Sequence, residues 1–167
     1  AAAIGQDNNQ FTPLQLANYI ATLVNGGTHY SAHLLKSVKS YDYSEVLYER
    51  EPEVLDTIEI APENLNAVLE GMRLVAAEGG TTYRFFKDLP VTVGAKTGSA
   101  QVSSTTESNA VFVCFAPYED PEIALAVVVE KGGSGMELAA IAADVLEYYF
   151  STGTGLEAAA KENTLLR

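Results

Sequence analysis

Apolar residues recur at helical spacing in three stretches of the chain and stand as short unbroken blocks in the part between the last two. The first helical stretch opens at Thr12-Pro13-Leu14-Gln15. Thr12 can cap, Pro13 suits the first helical position and Gln15 can close a capping box. The pattern predicts a helix to about Val24, stopped at Asn25-Gly26-Gly27, where glycine accepts the left-handed backbone of a helix end. Pro62 opens a second stretch, with Leu65, Val68, Leu69, Met72, Val75 and Ala76 on one face and Gly79-Gly80 as its stop. A second capping-box start, at Ser134-Gly135-Met136-Glu137, leads into a third stripe of Leu138, Ile141, Ala142, Val145 and Tyr149.

The blocks at Val91–Val102, Ala110–Ala116 and Ile123–Glu130 are joined by the short connectors "SSTTESN" and "PYEDP". Short connections favour an antiparallel meander. "AVFVCFA" and "IALAVVV" are apolar at every position, the mark of strands covered on both faces. The third helix can cover one face and the first two the other, giving an α+β helix/antiparallel sheet/helix arrangement. Between residues 34 and 48 the spacing of Val38, Tyr41, Tyr43, Val46 and Tyr48 predicts a peripheral hairpin. After Phe150 the composition turns small and polar, so 151–167 is expected to be a loosely held tail.

With 167 residues, 47 % of them hydrophobic, the chain can bury a core as one domain. A formal charge of −12, with ten basic residues spread along the sequence, argues against a nucleic-acid partner. Cys114 is the only cysteine and sits in an apolar block, as a core thiol would. No run approaches the roughly 18 apolar residues of a membrane helix. The sequence opens on "AAAIG", without Met, cap or turn, and is expected to be a fragment of something longer.

The chemistry concentrates in "GAKTGSAQ", Gly94 to Gln101. On a strand, Thr97 and Ser99 fall on one face and Lys96 and Gly98 on the other. Two hydroxyls so spaced can both donate to one carboxylate. Lys96 can attract that carboxylate and favour the deprotonated form of a neighbouring hydroxyl. Gly98 lets a ligand or a facing element approach the backbone, and the Ser99 N–H, if free of the ladder, can serve an oxyanion. Taken alone, the tetrapeptide is a weak signal.

Several other features have ordinary readings. His29 and His33 are four apart but follow a helix end and lack a third ligand, so no metal is expected. "EREPE" and "YEDPE" read as solvated turns, Glu130 and Lys131 as a strand-end ion pair, and Phe85 and Phe86 as anchors of the "GGTTYRFF" loop. "KGGSG" lacks the Walker ending and reads as a strand-to-helix turn.

In order, "AIGQ", "TPLQLANYIATLVNGG", "VLEGMRLVAAEGGTTYRFF", "VGAKTGSAQV" and "AVFVCFAP" resemble the C-terminal half of the transpeptidase domain of penicillin-binding proteins, most closely the class B kind. The resemblance covers roughly residues 1–150. Of the signatures Ser-x-x-Lys, Ser-x-Asn and Lys-Thr-Gly, only the third is present: Ser31 is followed by Leu34, Ser37 by Ser40 and Ser134 by Glu137 at the relevant distance. Both missing motifs precede "IGQ" in the family, so they are expected upstream of Ala1. Asp7 and Ala95 stand where the family usually has Gly.

The resemblance implies that Lys96, Thr97 and Gly98 line one wall of an acyl-transfer site. Ser99 would give its N–H to the oxyanion hole and its hydroxyl to the substrate carboxylate, and Lys96 would contact the Ser-x-Asn serine. It further implies a peptidoglycan D,D-transpeptidase acting on D-Ala-D-Ala stem peptides, acylated by β-lactams, without metal or organic cofactor. The parent would stand outside the bacterial cytoplasmic membrane, anchored to it. This chain alone is expected to be inactive, to need the N-terminal part of the same protein, and to self-associate. Rival readings are a non-catalytic β-lactam or muropeptide sensor of this fold, and a serine β-lactamase.

Overall fold

In a computed structural model, residues 10–101 and 105–151 are described. "AIGQ", the end of the Val91–Val102 run and the tail beyond Ser151 lie outside them. Helix α1 spans Pro13–Val24 and begins as the sequence predicts. The Gln15 N–H donates to Thr12 Oγ1 at 3.2 Å, and Gln15 Oε1 accepts from the Thr12 N–H at 2.9 Å. It stops at Asn25. Gly27 follows at φ +105°, and a Cβ there would meet the Ile58 carbonyl oxygen at 2.1 Å. Only glycine lets these two backbones meet.

Four short strands then form two small ladders, β1 (Thr28–Tyr30) with β4 (Val54–Thr57) and β2 (Ser37–Lys39) with β3 (Val46–Glu49), all antiparallel. The β2–β3 pair is the expected hairpin. The outer pair escaped prediction because strands of three and four residues with no buried face carry no readable alternation. In "EREPE", Glu49 ends β3 and the rest is an irregular link to β4 in which Arg50 pairs with Glu53 at 3.0 Å.

Helix α2 (Pro62–Ala76) has Pro62 at its first position and no side-chain cap. Met72 and Ala76 are buried, whereas Val68 is about half exposed on the rim of a groove. A single turn, α3 (Tyr83–Phe86), follows. Its Phe86 is buried and stacks on Phe112 with centroids 6.1 Å apart, and Phe85 packs beside it, anchoring the loop as expected.

Strands β5 (Gly94–Ala100), β6 (Asn109–Ala116) and β7 (Ile123–Val129) form the expected antiparallel meander, in the order β5-β6-β7. Helix α4 (Ala139–Ser151) closes the described chain. β6 faces two cores. Ala110, Phe112, Cys114 and Ala116 meet Phe86 and the buried Leu138, Ala139, Ala142 and Leu146; Val113 and Phe115 turn to Ile20 of α1 and Met72 of α2. Burial pushes the Cys114 thiol up to about 12.

Three expectations need correction. β7 is only half-buried on its faces, because it is an edge strand of the described sheet. The α4 stripe is rotated: Ala139, Ala142 and Leu146 face the core, while Ile141 and Val145 are 47 % and 38 % exposed. The reason is at its start. Residues 135–138 form turns, with Ser134 Oγ accepting from the Met136 N–H at 3.3 Å, so the regular helix begins at Ala139 and not at the expected capping box. Glu130 and Lys131 form no ion pair among the described residues; Lys131 has a φ of +55° and its N–H donates to Asn109 Oδ1 at 3.0 Å.

Candidate active site

The run Lys96-Thr97-Gly98-Ser99 lies wholly on β5, an outer strand of the meander, opposite Val113, Phe112, Val111 and Ala110 in turn. Since Phe112 and Ala110 belong to the α4-side core and Val113 to the other, Thr97 and Ser99 stand on the α4 side and Lys96 on the side of α1 and α2. This is the alternation expected of a strand.

Lys96 borders an apolar groove of about 430 Å³ between α1 and α2, lined among others by Tyr19, Leu23, Val68 and Met72. It is the only charged group in that lining among the described residues. Its ammonium donates to the carbonyl of Thr97. A second apolar groove of about 400 Å³ lies on α1, between Phe11, Leu16, Tyr19 and Ile58. No metal-ligating cluster occurs among the described residues. His29 pairs with Asp56 in the β1–β4 ladder, and His33 Nδ1 lies 3.1 Å from the Ser31 carbonyl oxygen.

Backbone direction matters as much as side chains here. The Gly98 nitrogen and carbonyl oxygen and the Val111 carbonyl oxygen all lie within 2.9 Å of the place a Cβ on Gly135 would take. The Thr97 carbonyl accepts from the Lys96 ammonium, as a carbonyl at the open edge of an outer strand can. Alternation then turns the N–H and C=O groups of Thr97 and Ser99 to that edge.

Ser99 has a neighbour in the glycine-rich turn between β7 and α4: Gly135, whose N–H donates to Ser99 Oγ at 3.2 Å. The density of glycine in "KGGSG" was the available signal, since bare Cα atoms mark close backbone approach. The Lys96 groove had no such signal, because it is made by residues of four elements far apart in sequence.

Comparison with known proteins extends this picture. The penicillin binding protein transpeptidase domain, as a sequence family, matches residues 1–147. Penicillin-binding protein 2A of Bacillus subtilis is 34 % identical over 140 residues, which are 76 % of this chain and 19 % of that protein. Peptidoglycan D,D-transpeptidase MrdA of Haemophilus influenzae is 32 % identical, over 90 % of this chain and 25 % of that protein. This chain thus spans about a fifth to a quarter of these relatives' length. Among solved structures, PBP2 of Pseudomonas aeruginosa in complex with WCK 5153 superposes with a TM-score of 0.68 at 32 % identity, over 90 % of this chain and 32 % of that one. Penicillin-binding protein A of M. tuberculosis, as an imipenem acyl-enzyme complex, gives 0.67 at 29 %, over 86 % and 33 %. Sequence and fold agree over the same stretch that carries the Lys-Thr-Gly edge strand: the chain belongs to the penicillin-binding protein transpeptidase domain family.

Proposed function

We propose that residues 1–150 are the C-terminal part of the transpeptidase domain of a peptidoglycan D,D-transpeptidase, followed by a polar tail at 151–167. The single observation that carries this reading is Lys96-Thr97-Gly98-Ser99 on an outer strand, with peptide groups at its open edge. In the complete enzyme, a serine from another part of the protein attacks the carbonyl carbon of the penultimate D-Ala. The amide C–N bond breaks, terminal D-Ala leaves with a proton, and an acyl-enzyme remains for an acceptor amine to resolve. β-Lactams acylate the same serine by opening their own amide.

Each residue of the Lys96–Ser99 run has a part in this. The Ser99 N–H receives charge developing on the carbonyl oxygen. The Thr97 and Ser99 hydroxyls donate to the terminal carboxylate, Lys96 adds the attracting charge, and Gly98 leaves the strand bare for the substrate backbone. The chemistry requires no metal or organic cofactor.

The N-terminal part of the same protein is the expected partner of the α1 side, where Phe11, Leu14 and Tyr19 are 56–62 % exposed around the two apolar grooves. Without it, the chain self-associates through this surface. Among the described residues no helix is long and apolar enough to cross a membrane; anchoring, on the outer face of the bacterial cytoplasmic membrane, falls to another segment. The test is labelling by a fluorescent penicillin. The complete protein should take up label on a serine outside this chain, and the isolated chain none. A covalent adduct on the isolated chain, or an unlabelled complete protein, would refute the reading.

A further inference from the structure

The turn between β7 and α4 lies against the α4 side of β5 and β6 and is fastened there. The Lys131 N–H donates to Asn109 Oδ1 at 3.0 Å, the Gly133 N–H to the Ser108 carbonyl at 2.9 Å, and the Gly135 N–H to Ser99 Oγ at 3.2 Å. Gly135 is buried. A Cβ on it would meet the carbonyl oxygens of Gly98 and Val111 at 2.1 and 2.4 Å and the Gly98 nitrogen at 2.9 Å. All three are main-chain atoms, with no flexible side chain to give way. The third residue of the Lys-Thr-Gly run is therefore backed directly by the Cα of Gly135.

We propose that Gly135 is a positioning residue for this wall of the site, acting on the seat of β5 and on the direction of the Ser99 hydroxyl. The inference rests on the transpeptidase reading above. A serine hydroxyl has one proton to give and two lone pairs to receive with. With the Gly135 N–H on one lone pair, Ser99 Oγ keeps its proton for an outside acceptor, and a carboxylate is an acceptor only. The turn thus sets Ser99 as a donor to the substrate carboxylate while holding its N–H at the open edge. A side chain at 135 would push the turn off the strand or the strand out of place. Displacement on the order of 1 Å at a reacting centre can cost about 100-fold in rate.

The experiment measures acylation of the complete protein by a fluorescent penicillin for wild type, Gly135→Ala, Ser99→Ala and the double variant, with folded fraction followed by circular dichroism. Gly135→Ala should lower the second-order acylation constant by about 10- to 100-fold at unchanged folded fraction. The loss should be smaller in the Ser99→Ala background, since part of it runs through the hydroxyl. A constant that merely follows folded fraction, or equal losses in both backgrounds, overturns the inference. Should Gly135→Ala not fold, Ser99→Ala decides the matter through hydrogen–deuterium exchange at the Gly135 amide. Loss of the bond should speed exchange roughly fivefold, and unchanged exchange overturns the inference. An unlabelled wild-type protein refutes the transpeptidase reading instead, and the exchange result still judges the Gly135–Ser99 contact.

Discussion

Truncating Phe112 to alanine should cost this chain a large part of its stability. The side chain is fully buried on the central strand, stacks on Phe86 at 6.1 Å, and lies among Ala95, Cys114 and the α4 residues Ala142 and Leu146. Removing a buried phenylalanine typically costs about 3–5 kcal/mol, the transfer of the ring plus the cavity it leaves. This site belongs toward the upper part of that range, because main-chain hydrogen bonds to β5 and β7 hold β6 on both sides and limit its collapse into the gap. Against a total of roughly 5–15 kcal/mol for a domain, that is about a quarter or more. Phe112→Leu, which keeps most of the volume, should cost less than half as much. With nine tyrosines and no tryptophan, far-UV circular dichroism in a urea titration is the suitable probe, at one low protein concentration so that association stays constant. A loss below about 1 kcal/mol for Phe112→Ala, with an unchanged slope, would refute the account of β6 as the strand joining both cores.

Two further outcomes follow from the same structure. Cys114 is buried and its thiol is held up to about 12 against an ordinary 9.0, so the native state keeps the proton while the unfolded state releases it. Stability should therefore fall as pH rises from about 9 toward 12, by up to about 1.4 kcal/mol per unit more than in Cys114→Ala; urea midpoints for both proteins that run parallel above pH 9 would contradict this. The isolated chain should form oligomers through the exposed α1 side, so light scattering at rising concentration should show mass above one chain, and a clean monomer throughout would count against the uncovered surface.

The long elements were legible because their periodicity is strong and their ends are chemically marked. Thr12 with Gln15, Pro62 at a first helical position, and two all-apolar blocks with short connectors each announce one structure. The Lys96–Ser99 strand was legible in the same way, down to which side chains share a face. The failures have specific causes. The α4 stripe was misplaced because Ser134 and Glu137 imitate a capping box while the backbone there is committed to contacts with β5 and β6, so tertiary contact overrode the local signal. β1 and β4 were invisible because they are short and have no buried face. The support that Gly135 gives to Ser99 joins positions 36 residues apart, and no local pattern encodes it.

The position of β5 at the rim of its sheet also bears on how such a site can change over time. Substitution replaces side chains, but it cannot delete the peptide groups that an outer strand turns toward a ligand. Heritable variation must reach those groups indirectly, by altering the residues against which the strand is seated. Change in how this wall presents its peptide groups would then come from positions behind and beside it, Gly135 among them.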